Sequence, residues 1–385
     1  MISRRNKSFL TWFLQPFQAK RGEGHQPDLI MLAIVAILLF LGLLFLSSAS
    51  STSAFYRYHD TYRFVKQQIT HGLLPGLLLF YLALRTDYQI FKKFYKFFLI
   101  FSLILLSLVF ITNLNNNYGS AQSWIVLGGA SFQPSELVKL CYIIYLAGWL
   151  EAKQEDIVSW SKGTIPFLVI LGIIAVLLMK QPDFGTLSIV LAIALSMYFV
   201  AGAQIKHLAY IISAGIVGFV VMIKAAPYRM NRIIAWWNPD IDPRGISWQL
   251  KQSLIAIGSG GWFGVGLGLS KQKSYVPMPA NDSIFAIIAE EIGFVFAVAL
   301  IFIFAALLWR GLLIVKNAPD NFARFVALGI VVWLVAQILV NIAGMMQLLP
   351  LTGLPLPFIS LGGSNLTVTL LAIGILANIS RFTTR

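Results

Sequence analysis

The chain is short of charge, of acid in particular, and of cysteine. Only 11% of its 385 residues are charged, against about 25% in soluble domains. A soluble fold would lack the polar side chains to cover its surface, so that class is excluded. Acid is the scarcer sign: 15 Asp and Glu stand against 29 Lys and Arg, a net charge of +14. Cys141 is the single cysteine, which rules out an intramolecular disulfide and a cysteine-rich metal site. Set in an apolar run, its thiol is expected to be buried and inert. Four scattered histidines add no zinc spacing. No long Pro/Gly/Ser linker, low-complexity tract or fixed-period repeat interrupts the chain. One membrane domain is therefore expected over 29–385, behind a cytoplasmic tail, 1–28.

What the chain has in plenty is apolar sequence. Hydrophobic residues make up 58%, and the mean hydropathy is +0.79. A helix crosses the bilayer core with about 20 apolar residues. Ten runs approach that length: 29–48, 68–85, 97–112, 136–150, 163–179, 185–201, 205–224, 284–310, 322–346 and 366–380. The expected fold is an all-α polytopic membrane protein of about ten transmembrane helices. The first run exceeds the apolar core of a secretory signal, about 7–15 residues, so the LSSASSTSA that follows is not read as a cleavage region. Arg4, Arg5, Lys7, Lys20 and Arg21 should hold the N-terminus in the cytoplasm, and an even number of crossings returns the C-terminus there. Inner loops then carry Lys92, Lys93, Lys96 and Lys316, while the outer loop 113–135 has no Lys or Arg.

One loop departs from that pattern. Residues 225–283, between segments seven and eight, are predicted outside yet hold Arg229, Arg232, Arg244, Lys251, Lys271 and Lys273. Long loops partly escape the positive-inside rule. A basic outer surface still points to an anionic partner, either membrane lipid headgroups or a phosphorylated substrate.

Polar and helix-breaking residues gather in four stretches on that predicted outer face: GSAQSWIVLGGASFQPSE (119–136), QPDFGT (181–186), the PMPANDSIFAIIAEE that closes the long loop, and LPLTGLPLPFISLGGSN (349–365). Acids at membrane depth are costly and are functional candidates; here they are Glu136, Asp183, Asp282, Glu290 and Glu291. Asp282, flanked by Asn281 and Ser283, either caps the next helix or serves a reaction. At least one of Glu290 and Glu291 should meet a basic group or a backbone donor. Lys139 follows Glu136 by three residues on one helix face; it can pair there or reach across to Asp282. Trp124 is either an interfacial anchor or a stacking surface for substrate. PLPF (355–358) breaks helical structure, which is tolerated at membrane depth where it lines a cavity. The glycine-rich GSGGWFGVGLG (258–268) has no βαβ unit around it and is no nucleotide fingerprint. A calcium-loop match starting at Asn238 fails, with Pro243 at the glycine position and Gln249 at the final glutamate.

Five stretches in one order, NYGSAQSWIVLGGASFQPSELVK, QPDFGT, YRMNRIIAWWNPDIDPRGISWQLKQSLIAIGSGGWFGVGLG, PMPANDSIFAIIAEEIGF and LLPLTGLPLPFISLGGS, resemble the SEDS family (shape, elongation, division and sporulation). The likeness covers roughly residues 29–380, and NDSIFAIIAEEIGF and TGLPLPFIS are closer to its division branch. It implies a ten-helix peptidoglycan glycosyltransferase of the bacterial cytoplasmic membrane that polymerises lipid II into glycan strands on the outer face. The implied partners are a class B penicillin-binding protein transpeptidase and other division membrane proteins, with no nucleic acid. The family's essential aspartate falls on Asp282, its loop tryptophan on Trp124 and its QPSE-helix lysine on Lys139. Three positions depart: Ala280 and Asn281 stand where the family often has His-Thr, and Ser123 where it often has Arg.

The implied chemistry suits the residues. A sugar hydroxyl attacks an anomeric carbon that bears a lipid pyrophosphate, and Asp282 would take the proton as general base, an effect of about 10²–10⁴-fold. Arg229, Arg232, Lys271 and Lys273 would stabilise the departing pyrophosphate. Lys139 would hold Asp282 ionised if it lay within about 4–6 Å. Trp124, Glu136 and Ser364 complete the substrate-binding candidates. Displacement in one step would invert the anomeric centre. A divalent cation bridging pyrophosphate to Asp282 is compatible with this chemistry, although no dedicated ligand set is present. Two other classes remain open. A flippase for lipid-linked precursors would also use broken helices and polar groups at membrane depth, but no inverted repeat is visible. A non-catalytic division scaffold would leave Asp282 and Trp124 dispensable.

Overall fold

The first long apolar run needs a helix start, and Asp28 supplies it. Its Oδ1 accepts the Met31 N–H at 2.9 Å and caps α1 (Leu29–Tyr58). The computed structural model describes residues 25–110, 123–127, 130–224, 227–238, 240, 245 and 247–383, without the side chains of 126, 127, 130, 219, 221–223, 227–229 and 232. Helix α1 runs on through LSSASSTSA and stops where His59 turns left-handed at φ 53°.

The chain continues through α2 (Arg63–Gln68), a π-helical turn (Ile69–Leu73), α3 (Leu74–Arg85), a short α4 (Gln89–Lys93) and α5 (Tyr95–Leu108). An antiparallel hairpin follows, β1 (Ile125–Leu127) with β2 (Ala130–Phe132), Ile125 opposite Phe132. Next come α6 (Pro134–Ala152), a π-helical turn (Trp160–Thr164), α7 (Ile165–Lys180), α8 (Phe184–Val200) and α9 (Ile205–Lys224). The long predicted loop is not irregular. It contains α10 (Pro227–Trp237), α11 (Ser247–Ser259) and a 3₁₀ turn (Gln272–Ser274). Three helices finish the described chain: α12 (Ile284–Lys316), α13 (Asn321–Met345) and α14 (Gly363–Ser380).

All ten predicted runs fall wholly or largely on helix. Among the described residues five helical stretches, Leu29–Tyr58, Trp160–Lys180, Ile284–Lys316, Asn321–Met345 and Gly363–Ser380, are long and apolar enough to cross a membrane. Shorter apolar helices lie at Tyr95–Leu108, Phe184–Val200 and Ile205–Gly218. The protein is an α-helical, multi-pass membrane protein.

Helices α6, α13 and α14 are apolar on nearly every face and buried on nearly every face, as expected for the centre of a bundle. Around them α5 and α8 pack on α6, α3 on α14, and α1 and α13 on α12. The peripheral helices turn apolar side chains such as Phe40, Val169 and Phe302 outward, where lipid takes the place of protein. Cys141 sits in the interior of α6 as a free thiol.

Helix α12 is broken at Gly293, whose φ of 74° is left-handed. Across the break, the Glu290 and Glu291 carbonyls accept the N–H groups of Val265 and Gly266, each at 3.0 Å. The Phe294 and Val295 N–H groups donate instead to the Gly261 and Trp262 carbonyls, at 2.9 and 3.2 Å. The glycine-rich stretch thus replaces the lost helical bonds one for one, as a break at membrane depth requires. Glycine is demanded on both sides: a Cβ at Gly264 would run into the Glu291 carbonyl, and one at Gly293 into the Gly264 nitrogen.

Candidate functional site

The predicted break at PLPF is present. Residues 350–362 form no helix, yet Leu356, Phe358 and Ile359 are buried. Backbone polar groups in such a place must find partners, and side chains from two helices and the main chain of a turn supply them. Gln68 of α2 donates to the Ser360 carbonyl (3.1 Å) and accepts the Gly362 N–H (2.9 Å). On α13, Gln337 donates to the Pro355 carbonyl (2.9 Å) and Asn341 to the Leu354 carbonyl (2.7 Å). The turn before α12 contributes the Ala280 carbonyl, which accepts the Leu361 N–H (2.8 Å), and the Asn281 carbonyl, which accepts Ser360 Oγ (2.6 Å). Two of the positions that depart from the family pattern, Ala280 and Asn281, act here through their main-chain carbonyls.

Asp282 stands in that turn. Ser283, not Asp282, holds the cap position of α12, and the Ser283 side chain makes no capping bond. Asn341 fixes the Asp282 backbone carbonyl at 2.8 Å. The Gln249 amide, from α11, donates to Asp282 Oδ2 and to Ser283 Oγ, both at 3.0 Å. Ser283 passes its own proton to the Pro277 carbonyl at 3.2 Å. Asp282 and Gln249 together face a cavity of about 300 Å³, whose other walls include Trp236, Pro277, Leu351 and Gly353. Trp236 and Gln347 bond each other's main chain reciprocally, at 2.9 and 3.0 Å, and so tie α10 to the segment after α13.

Lys139 does not reach across to Asp282. It is wholly buried and pairs with Glu136 at 3.0 Å. It also donates to Gln337 Oε1 at 2.9 Å and lies 4.7 Å above the Trp333 ring. Glu136 accepts in turn from Asn365 at 2.7 Å. Gln337 and Asn341, one helical turn apart on α13, both bond the strap formed by residues 350–362, to which the Asp282 turn is bonded as well.

The remaining predicted residues separate. Ser364 accepts the Gln133 N–H at 3.1 Å and anchors the β-hairpin to α14. Trp124 is half-buried just before β1 and is not part of the cavity wall. Lys271 is exposed, and Lys273 donates to the Gly268 carbonyl at 2.7 Å; neither lines the cavity. Arg229 and Arg232 belong to α10, one to two turns before Trp236, and their side chains lie outside the described residues. Glu290 receives Ser270 Oγ and the backbone N–H groups of Lys271 and Gln272, the backbone-donor role foreseen for this pair. Glu291 accepts Ser48 Oγ at 2.5 and 2.7 Å. Asp183 caps α8 through Thr186 and accepts Ser135 Oγ at 2.9 Å. Among the described residues no group of three or more His, Cys, Asp or Glu is placed to hold a metal.

The four stretches predicted to share one face are joined by hydrogen bonds. Ser123 bonds the Gln181 carbonyl at 3.2 Å, Ser135 bonds Asp183, Gln133 bonds Ser364, and Asn281 meets Ser360. Gln249, Gln337 and Asn341 escaped the sequence reading because amides carry no charge to single them out. The trace they leave is a polar side chain repeated inside an otherwise apolar helix, as at Gln337 and Asn341.

Comparison with known proteins identifies the family. The family model described as cell cycle protein, covering FtsW, RodA and SpoVE, matches residues 28–385. Stage V sporulation protein E of Bacillus subtilis is 40% identical over 357 residues, 92% of this chain and 97% of that protein. A probable peptidoglycan glycosyltransferase FtsW of Trichlorobacter lovleyi is 41% identical over 357 residues, 92% of this chain and 93% of its own. Among solved structures, a chain of a peptidoglycan synthase complex that coordinates polymerization and crosslinking superposes with a TM-score of 0.78 at 27% identity, covering 92% of this chain and 98% of that one. The rod shape determining protein RodA of Thermus thermophilus gives a TM-score of 0.68, also at 27% identity, over 93% and 98% of the two chains. The chain belongs to the FtsW/RodA/SpoVE family of cell cycle proteins.

Proposed function

We propose that the protein is a peptidoglycan glycosyltransferase that polymerises lipid II during cell division, at the outer face of the bacterial cytoplasmic membrane. In this reading ten helices cross the bilayer with both termini in the cytoplasm, and a class B penicillin-binding protein transpeptidase works beside it. The observation that carries the reading is Asp282: a carboxylate just ahead of the helix cap, bonded by Gln249, at the wall of a cavity. At about 300 Å³ the cavity is at the small end of ligand sites, about 300–1,000 Å³, and suits the reacting end of a sugar with the rest of the substrate outside.

Asp282 accepts the proton of the attacking sugar hydroxyl as the oxygen closes on the anomeric carbon and the lipid pyrophosphate leaves. The carboxylate needs a fixed orientation, and the Gln249 amide and the Asn341-held main chain provide it. The negative charge that grows on the pyrophosphate calls for cations, and Arg229 and Arg232 lie on the helix that carries Trp236 to the cavity. Lys139 acts at a distance, by holding the strap against which the Asp282 turn rests.

The test is polymerisation of purified lipid II, with and without the transpeptidase, by wild type and by Asp282→Asn. Strands from wild type and a loss of about 10²-fold or more in a folded Asp282→Asn are expected. Wild-type rates from that variant would remove Asp282 as base. Inactivity of the wild type with its partner present would remove the transferase reading itself.

A further inference from the structure

The Gln249 side chain has two amide protons, and both are committed to the Asp282 turn. One goes to Asp282 Oδ2 and the other to Ser283 Oγ, each at 3.0 Å. The reverse amide orientation would set a carbonyl oxygen against a carboxylate oxygen, so the assignment follows from chemistry. Gln249 is set on α11, an element separate from the turn it grips, and it borders the same cavity as Asp282. The helix is itself fixed: Trp248, the preceding residue, donates its indole N–H to the Tyr275 carbonyl at 3.1 Å. On the same helix Ser253 and Ala256 are wholly buried.

We propose that Gln249 is a positioning residue for the glycosyl transfer. It holds the Asp282 carboxylate at one rotamer facing the cavity and favours its ionised form. The role rests on the transferase reading above. Two physical effects support it. A carboxylate that must collect a proton in the transition state gains from having its orientation set in advance. A hydrogen bond donated to the charged form also stabilises that form. Neither effect requires Gln249 to touch the substrate, so its loss should fall on the chemical step and leave binding in place. The division of labour is visible in the geometry: Asn341 places the main chain of Asp282, and Gln249 places its side chain.

The experiment is steady-state polymerisation of lipid II by the full-length protein with its transpeptidase, comparing wild type with Gln249→Met and Gln249→His. Methionine keeps the length and loses the donor; histidine keeps a ring N–H at similar reach. Elution as a single species in detergent confirms folding of each. For Gln249→Met, kcat should fall about tenfold to a hundredfold, the worth of a hydrogen bond to a charged group, with KM changed by no more than about twofold. Gln249→His should recover part of that loss. Wild-type kcat in Gln249→Met, or a loss carried by KM alone, would overturn the inference while leaving the transferase reading intact. An inactive wild type would instead remove the reading on which the inference rests.

Discussion

Lys139 and Glu136 form an ion pair whose side chains are 0% and 1% exposed. Taking such charges out of water is expensive, and the pair is tolerable because each end is also hydrogen-bonded, to Gln337 and to Asn365. Removing one partner should therefore cost more than removing both. Lys139→Met alone is expected to destabilise by about 3–5 kcal/mol, and Glu136→Gln added to it should restore much of the loss. A thermal-denaturation double-mutant cycle in detergent would show this, and simple additivity would contradict it. The same argument gives Gln337 more weight than its type suggests. Its oxygen accepts from both Lys139 and Trp333, at 2.9 and 2.7 Å, and its nitrogen holds the strap. Gln337→Leu should lower polymerisation through the strap without any contact with substrate, and an unaffected rate would separate the buried pair from the site.

At the scale of elements, the break in α12 and the glycine-rich stretch are one structure, because each supplies the hydrogen bonds that the other lacks. Gly293→Ala must place a Cβ at a left-handed φ and against the Gly264 backbone. Such strain costs about 1–3 kcal/mol before any bond is lost, so the midpoint of thermal unfolding should fall markedly. Gly172→Ala in α7 is the control, since a Cβ there meets nothing within 4 Å; alanine is the better helix former by about 1 kcal/mol, so no loss is expected. Equal behaviour of the two variants would refute the account of the break. The seam also bears on the site. It sets the course of residues 260–270, and Glu290 then fixes the 3₁₀ turn that leads to Pro277 and Asp282.

For the whole molecule, the ten-crossing arrangement makes opposite predictions for two exposed lysines. Lys271 should face the outside and Lys162 the cytoplasm. With cysteine placed at either position, an impermeant maleimide added to intact cells should label Lys271→Cys at once and Lys162→Cys only after permeabilisation. Cys141 needs no removal, because it is buried in α6. Labelling of both from outside would require a different number or direction of crossings. The orientation matters for function, since it decides whether the cavity opens towards the side on which glycan strands are made.

The sequence by itself determined that this chain lives in a membrane, where its helices run and which stretches gather its polar and helix-breaking residues. These are local properties: apolar length against bilayer thickness, and helix breakers such as PLPF. The five ordered stretches placed it beside the SEDS family before any coordinates. The sequence also placed four polar clusters on one face, and the structure joins them. It could not choose among partners. Whether Asp282 caps a helix or faces a cavity, and whether Lys139 meets Glu136 or Asp282, depends on groups far away in the chain. Gln249 lies 33 residues from Asp282, Gln337 lies 198 from Lys139, and Asn365 lies 229 from Glu136. The glycine-rich stretch could be refused as a nucleotide site from sequence, but its purpose needed the broken helix beside it. In a low-dielectric interior every buried polar group must be matched, and only the packing of the helices decides which group does the matching.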